Sequence, residues 1–263
     1  MSAEPPSAAE LGKRLDTILP EFYYDLIARI IPGVVLVLGA VFASGTAEPA
    51  AAFATLLTLA WAPVVLLLII ISIAGYVAGI LLTYFQSGVR SSYSGAVWRV
   101  VLRQYRDVII KRQDELGLNG LRTKLDECQL DASGRSSRRD RKAANRAIRE
   151  VTRPLYGELH DLLKDRHPQA RFVLPKMNGE TGLCENTAVS LILVMLVALV
   201  HTVTAPTGPV ATRLVQAAAT AFPFAVLALL FFRAAVVRYE ALLRRHFAFW
   251  NLIPEPRRAL EGA

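Results

Sequence analysis

The sequence predicts an all-α integral membrane protein in which four transmembrane helices, arranged as two hairpins, flank a helical cytosolic domain. The first observation is composition: 53% of the 263 residues are apolar and only 20% are charged, whereas soluble domains carry about 25% charged residues. The second is distribution, because residues 30–89 and 187–232 contain almost no charge. These long apolar runs exclude a soluble single-domain enzyme and a disordered chain.

Four apolar segments are long enough to cross a bilayer, for which a helix needs about 20 residues. We predict these spans at residues 26–43, 53–82, 187–203 and 214–237. The linker within each pair is short and contains glycine and proline, so tight turns between antiparallel helices are expected. The resulting domains are an amphipathic arm at 1–25, a transmembrane hairpin at 26–85, a basic helical domain at 86–186, a second hairpin at 187–237 and an interfacial tail at 238–263.

Positive charges predict the orientation, because cytosolic segments carry an excess of Lys and Arg. Residues 86–186 contain 20 Lys and Arg against 13 Asp and Glu, whereas the linkers at 44–50 and 204–210 contain no Lys or Arg. Both termini and the basic domain are therefore expected in the cytosol. The first ten residues are acidic and proline-rich, unlike a secretory signal, so the first span is expected to be retained. The Ala- and Arg-rich composition is typical of a high-GC bacterium and favours the inner (cytoplasmic) membrane.

Charged residues occur only at the edges of the predicted spans, which argues against ion-coupled transport, since such transport uses ionisable groups inside the bilayer. Asp25 and Arg29 are four residues apart and share one face of the first helix. Arg233 and Arg238 enter from the fourth helix at a similar depth. These four residues are a candidate ionic latch between the hairpins at the cytosolic surface. The alternative is that they are anchors whose charged ends extend to the head groups.

Small residues and prolines mark two further features of the spans. Gly75 and Gly79 form a GxxxG pattern in the second span, where small residues allow close contact between helices. This candidate helix-packing site fits either a contact within the chain or a dimer face. Pro63 and Pro223 fall inside the second and fourth spans, and a proline removes a backbone hydrogen bond, so each is expected to kink its helix.

Two amphipathic helices are predicted in the basic domain from apolar residues at three- and four-residue spacing. The first continues the second span as a stalk, and its apolar positions are Val97, Val101, Tyr105, Val108 and Ile109. The second covers residues 143–165, with apolar positions Ala144, Ile148, Val151, Leu155, Leu159, Leu162 and Leu163. Such a domain of few large aromatics has a small core, which favours support from the membrane, a partner or another copy of the chain.

The rest of the basic domain is predicted to connect these helices. Residues 121–130 are expected to form a short helix and residues 131–137 a polar loop. Pro154 is expected to kink or divide the second amphipathic helix. Residues 171–186 lead back to the membrane, with a turn predicted at residues 179–182 because two glycines lie there.

A basic cluster precedes the second amphipathic helix and is a candidate contact for lipid or a partner. Its members are Arg138, Arg139, Arg141, Lys142 and Arg146. Anionic lipid head groups attract such clusters by about 1 kcal/mol per cation, and a solvated helix face is the alternative. Nucleic acid is the less favoured partner, because the cytosolic orientation already explains most of the net charge of +8.

The tail after the fourth span combines aromatic, aliphatic and basic residues. Leu242, Leu243, Phe247 and Trp250 alternate with arginines, a pattern typical of a helix that lies on the cytosolic leaflet. The apolar face of residues 9–19 has the same potential. Both amphipathic ends are candidate partner surfaces, and packing against the rest of the chain is the alternative interpretation.

No pattern of catalytic residues is found. His160, Asp161 and His167 are close in sequence, but Pro168 is expected to end their helix and no established metal-binding spacing is present. Cys128 and Cys184 are isolated and lie in a segment expected in the reducing cytosol, which disfavours a disulfide or a zinc site. The sequence therefore predicts no catalytic, cofactor-binding or metal site, and no enzyme.

These features favour a non-enzymatic, oligomeric membrane protein over an enzyme or a transporter. The leading hypothesis is a sensor or effector of the bacterial stress or phage-defence type, whose cytosolic helical domain senses or binds a partner and controls a membrane pore. The stalk that continues the second span and the uncharged spans motivate it. The alternative is a membrane scaffold that anchors a cytosolic protein complex through the basic domain.

Overall fold

The computed structural model describes residues 8–45, 49–58, 60–112, 123, 125, 138–204 and 209–253. Its helices, numbered here in chain order, are α1 (Ala8–Ala43), α2 (Pro49–Thr58), α3 (Trp61–Arg112), α4 (Arg138–Arg166), α5 (Ala170–Thr204) and α6 (Val210–Leu252). The described residues contain no strand. Four helices, α1, α3, α5 and α6, are long and apolar enough to cross a membrane. The chain is therefore an all-α, multi-pass membrane protein, as predicted.

The helices contribute to two compact units. Unit 1 comprises residues 1–91 and 178–238, and unit 2 comprises residues 92–177 and 239–263. Three helices, α3, α5 and α6, have residues in both units. Unit 1 contains nearly all of the apolar, charge-free sequence, and unit 2 contains most of the basic domain.

The first half of the chain differs from the prediction at its helix boundaries. The expected boundary at residue 25 is not a break, because α1 is continuous from Ala8. The second span does not begin at residue 53: α2 ends at Thr58 and α3 begins at Trp61. Pro63 therefore lies in the first turn of α3, where its missing N–H would have no helical acceptor. The kink expected at Pro63 is thus wrong, and this proline favours the start of a helix.

The stalk prediction is confirmed, because α3 runs without a break through 52 residues. At about 1.5 Å per residue its length is about 78 Å, more than twice the thickness of a hydrocarbon core. Pro154 lies inside α4 and Pro223 inside α6, and neither divides its helix. The turn predicted at residues 179–182 is wrong, because these residues belong to the continuous helix α5.

Unit 2 has a core made from one face of each of its helices. From α4 it contains Ile148, Val151, Leu155, Leu159 and Leu163, which are at most 1% exposed. From α3 it contains Val97, Trp98, Val101, Leu102 and Ile109. These positions match the two amphipathic patterns closely, which confirms both helices. Burial of each large apolar side chain contributes about 1.5–3 kcal/mol.

The tail after the fourth span also packs in this core. Leu242, Leu243, Phe247 and Trp250 are fully buried in unit 2. These four side chains therefore lie in a protein core and not on the lipid surface that we predicted for residues 238–263. A lipid surface and a protein core both withdraw apolar residues from water, so the pattern alone does not distinguish them. The predictions for residues 121–130 (apart from 123 and 125), for the loop at 131–137 and for the side chains of residues 9–19 lie outside the described residues.

Candidate functional site

Several polar side chains of α5 are buried in unit 1, and three of them form what we call the polar cluster: Glu185, Asn186 and Ser190. They are at most 1% exposed. Buried polar groups are retained only with hydrogen-bond partners, because an unpaired one costs about 1–3 kcal/mol. The partners of the cluster lie on α1 and α3, so it links α5 to both helices.

Glu185 receives three hydrogen bonds from α3. Gln86 Nε2 donates to Oε2 at 2.6 Å, Arg90 Nε donates to Oε1 at 2.9 Å, and Arg90 Nη2 donates to Oε2 at 2.7 Å. Gln86 and Arg90 are one helical turn apart, which brings both to the same face of α3. The forked guanidinium matches both carboxylate oxygens, and such charge-assisted pairs are the strong ones. The carboxylate is therefore held in one orientation.

Asn186 and Ser190 complete the hydrogen bonding of α1 around a proline. Pro32 has no N–H, so the carbonyl of Ala28, four residues earlier, has no helical donor. Asn186 Nδ2 donates to this carbonyl oxygen at 3.0 Å. The Ser190 hydroxyl lies 2.8 Å from the carbonyl oxygen of Pro32 and 2.9 Å from that of Asn186. Asn186 of α5 thus compensates a defect in the backbone of α1, and Ser190 adds a second bond to α1 nearby.

This compensation leads to a prediction about Asn186→Leu. The substitution leaves the Ala28 carbonyl buried and unpaired, and we expect it to destabilise unit 1 by about 1–3 kcal/mol. In a Pro32→Ala background the new N–H of residue 32 donates to Ala28, so Asn186→Leu is expected to have a much smaller effect. Unfolding of the four proteins in mild detergent measures this coupling. Equal losses in both backgrounds would contradict the explanation.

Glycines bring the backbones of α1 and α3 into contact. A Cβ atom added to Gly79 would lie 2.1 Å from the Arg29 carbonyl oxygen, and one added to Gly33 would lie 1.7 Å from the Gly75 carbonyl oxygen. A Cβ on Gly75 would lie 2.5 Å from Val34 Cγ2. The GxxxG pattern therefore faces α1 of the same chain, and of the two interpretations left open, the structure has the contact within the chain.

The glycines of the predicted turn serve similar contacts of α5 with α1 and α3. A Cβ on Gly179 would lie 2.7 Å from Tyr24 Cβ, and a Cβ on Gly182 would lie 3.2 Å from Gln86 Nε2. These glycines weaken the intrinsic helix propensity of α5 by about 1 kcal/mol each. Close packing of the helix against its neighbours offsets that loss, which explains why the segment is helical and not a turn.

The structure describes three residues of the candidate latch, and the latch itself stays a prediction. Arg238 donates a hydrogen bond to Glu180 of α5. The Arg29 backbone contacts Gly79, and Arg233 is exposed. The side chain of Asp25 lies outside the described residues. Among the described residues, Arg90 and Glu185 form an ion pair between the first and second pairs of apolar helices, which the sequence did not predict.

The candidate basic cluster is described only at its last member. Arg146 Nε donates to Glu150 at 3.0 Å, and both side chains are exposed on α4. The side chains of the other members, Arg138, Arg139, Arg141 and Lys142, lie outside the described residues. The contact with lipid or a partner therefore stays a prediction.

Unit 2 contains a pair of histidines at the contact between α4 and α6. His160 Nδ1 lies 3.2 Å from His246 Nε2, and His246 Nδ1 lies 2.8 Å from the Leu242 carbonyl oxygen. His246 is fully buried. His167, considered with His160 as a metal ligand, instead packs its ring against Phe249 at 4.5 Å. No group of three or more His, Cys, Asp or Glu among the described residues is arranged to hold a metal.

A buried arginine closes the end of α6 in unit 2. Arg112 is 4% exposed, its guanidinium lies 5.3 Å from the centre of the Trp250 ring, and it donates a hydrogen bond to the Trp250 carbonyl. Carbonyls in the last turn of a helix have no helical donor and carry partial negative charge. The Trp250 carbonyl accepts from the Ile253 N–H at 3.1 Å and also from Arg112, which adds a positive charge there. Arg112 therefore joins the end of α3 to the end of α6.

The chemistry of these groups is that of helix positioning. Glu185 is surrounded by three donors, and each nitrogen of His246 faces a partner. Groups held in this way orient helices. Comparisons of the chain with protein-family models, curated proteins and solved structures found no match.

Proposed function

We propose that this chain is a non-enzymatic, oligomeric protein of the bacterial inner membrane, whose helical domain faces the cytosol, binds a partner and controls a membrane pore. The observation that carries the proposal is the continuity of α3, α5 and α6. Each joins an apolar stretch of membrane-spanning length to residues of unit 2 without a break. A continuous helix moves as a stiff body because its hydrogen bonds are internal.

Opening of a pore would require the helices of unit 1 to rearrange, and the polar cluster is the contact that this rearrangement would alter. In unit 1 the contacts of Arg90 with Glu185 and of Asn186 with Ala28 fix α5 against α3 and α1. Such contacts have discrete partners, so a rearrangement requires their exchange and not a gradual deformation. A partner that binds one arrangement more tightly shifts the population toward it. Anionic head groups near the basic cluster are the expected lipid contact on the cytosolic side.

A scaffold is the second candidate, and the outer face of α4 favours it. Arg146, Arg149 and Arg153 are exposed on the side opposite the buried face of α4. Three cations on one exposed face suit an acidic surface of a cytosolic protein. In this function the membrane helices serve as an anchor and no pore opens.

The mass of the purified protein in mild detergent, corrected for bound detergent, separates the two functions. A discrete symmetric oligomer is expected for the pore, followed by unitary conductance after reconstitution into planar bilayers. A monomer that co-purifies with a cytosolic protein and has no conductance would overturn the pore and support the scaffold. A mock preparation from cells that lack the protein, reconstituted in the same way, is the control for contaminating channels.

A further inference from the structure

The hydrogen bonds of the histidine pair determine where its protons lie. The Leu242 carbonyl oxygen only accepts, so His246 Nδ1 carries the hydrogen in that 2.8 Å contact. Because His246 is fully buried, its neutral form is favoured, so Nε2 has the lone pair and His160 Nδ1 donates to it across 3.2 Å. The arrangement therefore contains one hydrogen between the two rings and a neutral His246.

The pair accommodates one added proton but not two. The first proton goes to His160, which keeps its Nδ1–H directed at His246 and strengthens the bond by its charge. A second proton would have to go to His246 Nε2, which would place two N–H groups and two positive charges against each other. His246 is fully buried, which further disfavours its charged form.

The same two helices carry several titratable groups besides the pair. On α4, the Tyr156 ring stacks on His160 at 5.8 Å and lies 4.9 Å from His246. Glu158 and Asp161 of α4 are exposed. On α6, Glu240 accepts a hydrogen bond from Arg244 at 2.9 Å.

Other titratable groups of unit 2 have partners of their own. On α3, Tyr105 Oη lies 3.5 Å from the Arg244 carbonyl oxygen, and Arg112 contacts Trp250. On α5, Arg171 donates to the Lys164 carbonyl. On α6, Arg245 lies over the Phe249 ring. Among the described residues no carboxylate joins the two histidines in a metal-sized group.

We propose that His160 and His246 form an acid-sensitive clasp between α4 and α6, which holds unit 2 closed near neutral pH and loosens it on acidification. The sign follows from the proton count. An opened unit 2 binds a proton on each histidine below about pH 6.5, whereas the closed unit binds one fewer. Acid therefore favours the open form, by up to tenfold in the opening equilibrium per pH unit. This inference does not depend on the pore or the scaffold.

The test is hydrogen exchange of the full-length protein in detergent at pH 7, 6 and 5, with the intrinsic exchange rate divided out at each pH. Protection of residues 239–250 is expected to fall about tenfold between pH 6 and 5. His246→Gln, which retains an acceptor for His160, is expected to remove most of this fall. His167→Gln is the matched control and should behave like the parent. An equal fall in His246→Gln would overturn the proposal.

A second measurement covers the case in which His246→Gln does not fold. Nitrogen-15 spectra of histidine in the unmodified protein report the protonation of each ring. Between pH 8 and 5, His246 is expected to stay neutral with hydrogen on Nδ1 while His160 becomes charged. A closed protein in which His246 becomes charged near pH 6.5 would overturn the clasp.

Discussion

Gly79→Ala is expected to destabilise the protein by about 2–3 kcal/mol, although alanine is the best helix former. The added methyl group would lie 2.1 Å from the Arg29 carbonyl oxygen. That neighbour is backbone and not a flexible side chain, so α1 and α3 must separate. Separation opens the packing along their whole contact, including the positions of Gly33 and Gly75. Thermal or denaturant unfolding in mild detergent measures the loss.

Gly88→Ala is the matched control, since Gly88 lies on the same helix and a Cβ there meets nothing within 4 Å. This variant is expected to gain about 0.5–1 kcal/mol, because alanine restricts the unfolded chain more than glycine does. The two substitutions are chemically identical and should have opposite signs. If Gly79→Ala kept its stability and only reduced the mass of an oligomer, the glycines would form a dimer face instead.

Glu185→Leu is expected to destabilise unit 1 by about 3 kcal/mol, because it leaves the Arg90 guanidinium without its counter-charge. The Glu185 side chain is 0% exposed and that of Arg90 is 30% exposed, so some water reaches the arginine and the lower end of the usual range applies. Adding Arg90→Met to the variant is expected to recover most of the loss, since no charge then remains buried. Unfolding of both single variants and the double variant completes the cycle.

Glu150→Ala is the control for this pair. It removes the carboxylate of an ion pair with Arg146 whose side chains are 84% and 58% exposed. Exposed pairs contribute about 0–1 kcal/mol, because water screens the charges and two long side chains must be ordered. We therefore expect a change of less than about 0.5 kcal/mol. If Glu150→Ala lost as much stability as Glu185→Leu, burial would not be what makes the Arg90–Glu185 pair stronger. In the cycle itself, additive losses in Arg90→Met and Glu185→Leu would exclude a coupled pair.

Part of the candidate site was open to prediction from the sequence. Pro32 lies inside the first span and must leave the Ala28 carbonyl without a donor, while Asn186 and Ser190 are one turn apart at the start of the third. These two signals together suggest a polar side chain that compensates a proline. The choice of partner was not open to prediction, because Asn186 and Ala28 are 158 residues apart.

The sequence by itself determined the features that depend on residues within a few turns of one another. The charge-free runs required membrane-length helices, and the spacing of Ile148, Leu155 and Leu159 required a buried face on α4, because helix periodicity and hydrophobic burial are local properties of the chain. Only the tertiary structure decided which faces meet. Arg90 and Glu185 are 95 residues apart, and their pairing depends on how two helices pack. The burial of Trp250 in protein and not in lipid had the same origin, since both environments remove an apolar ring from water.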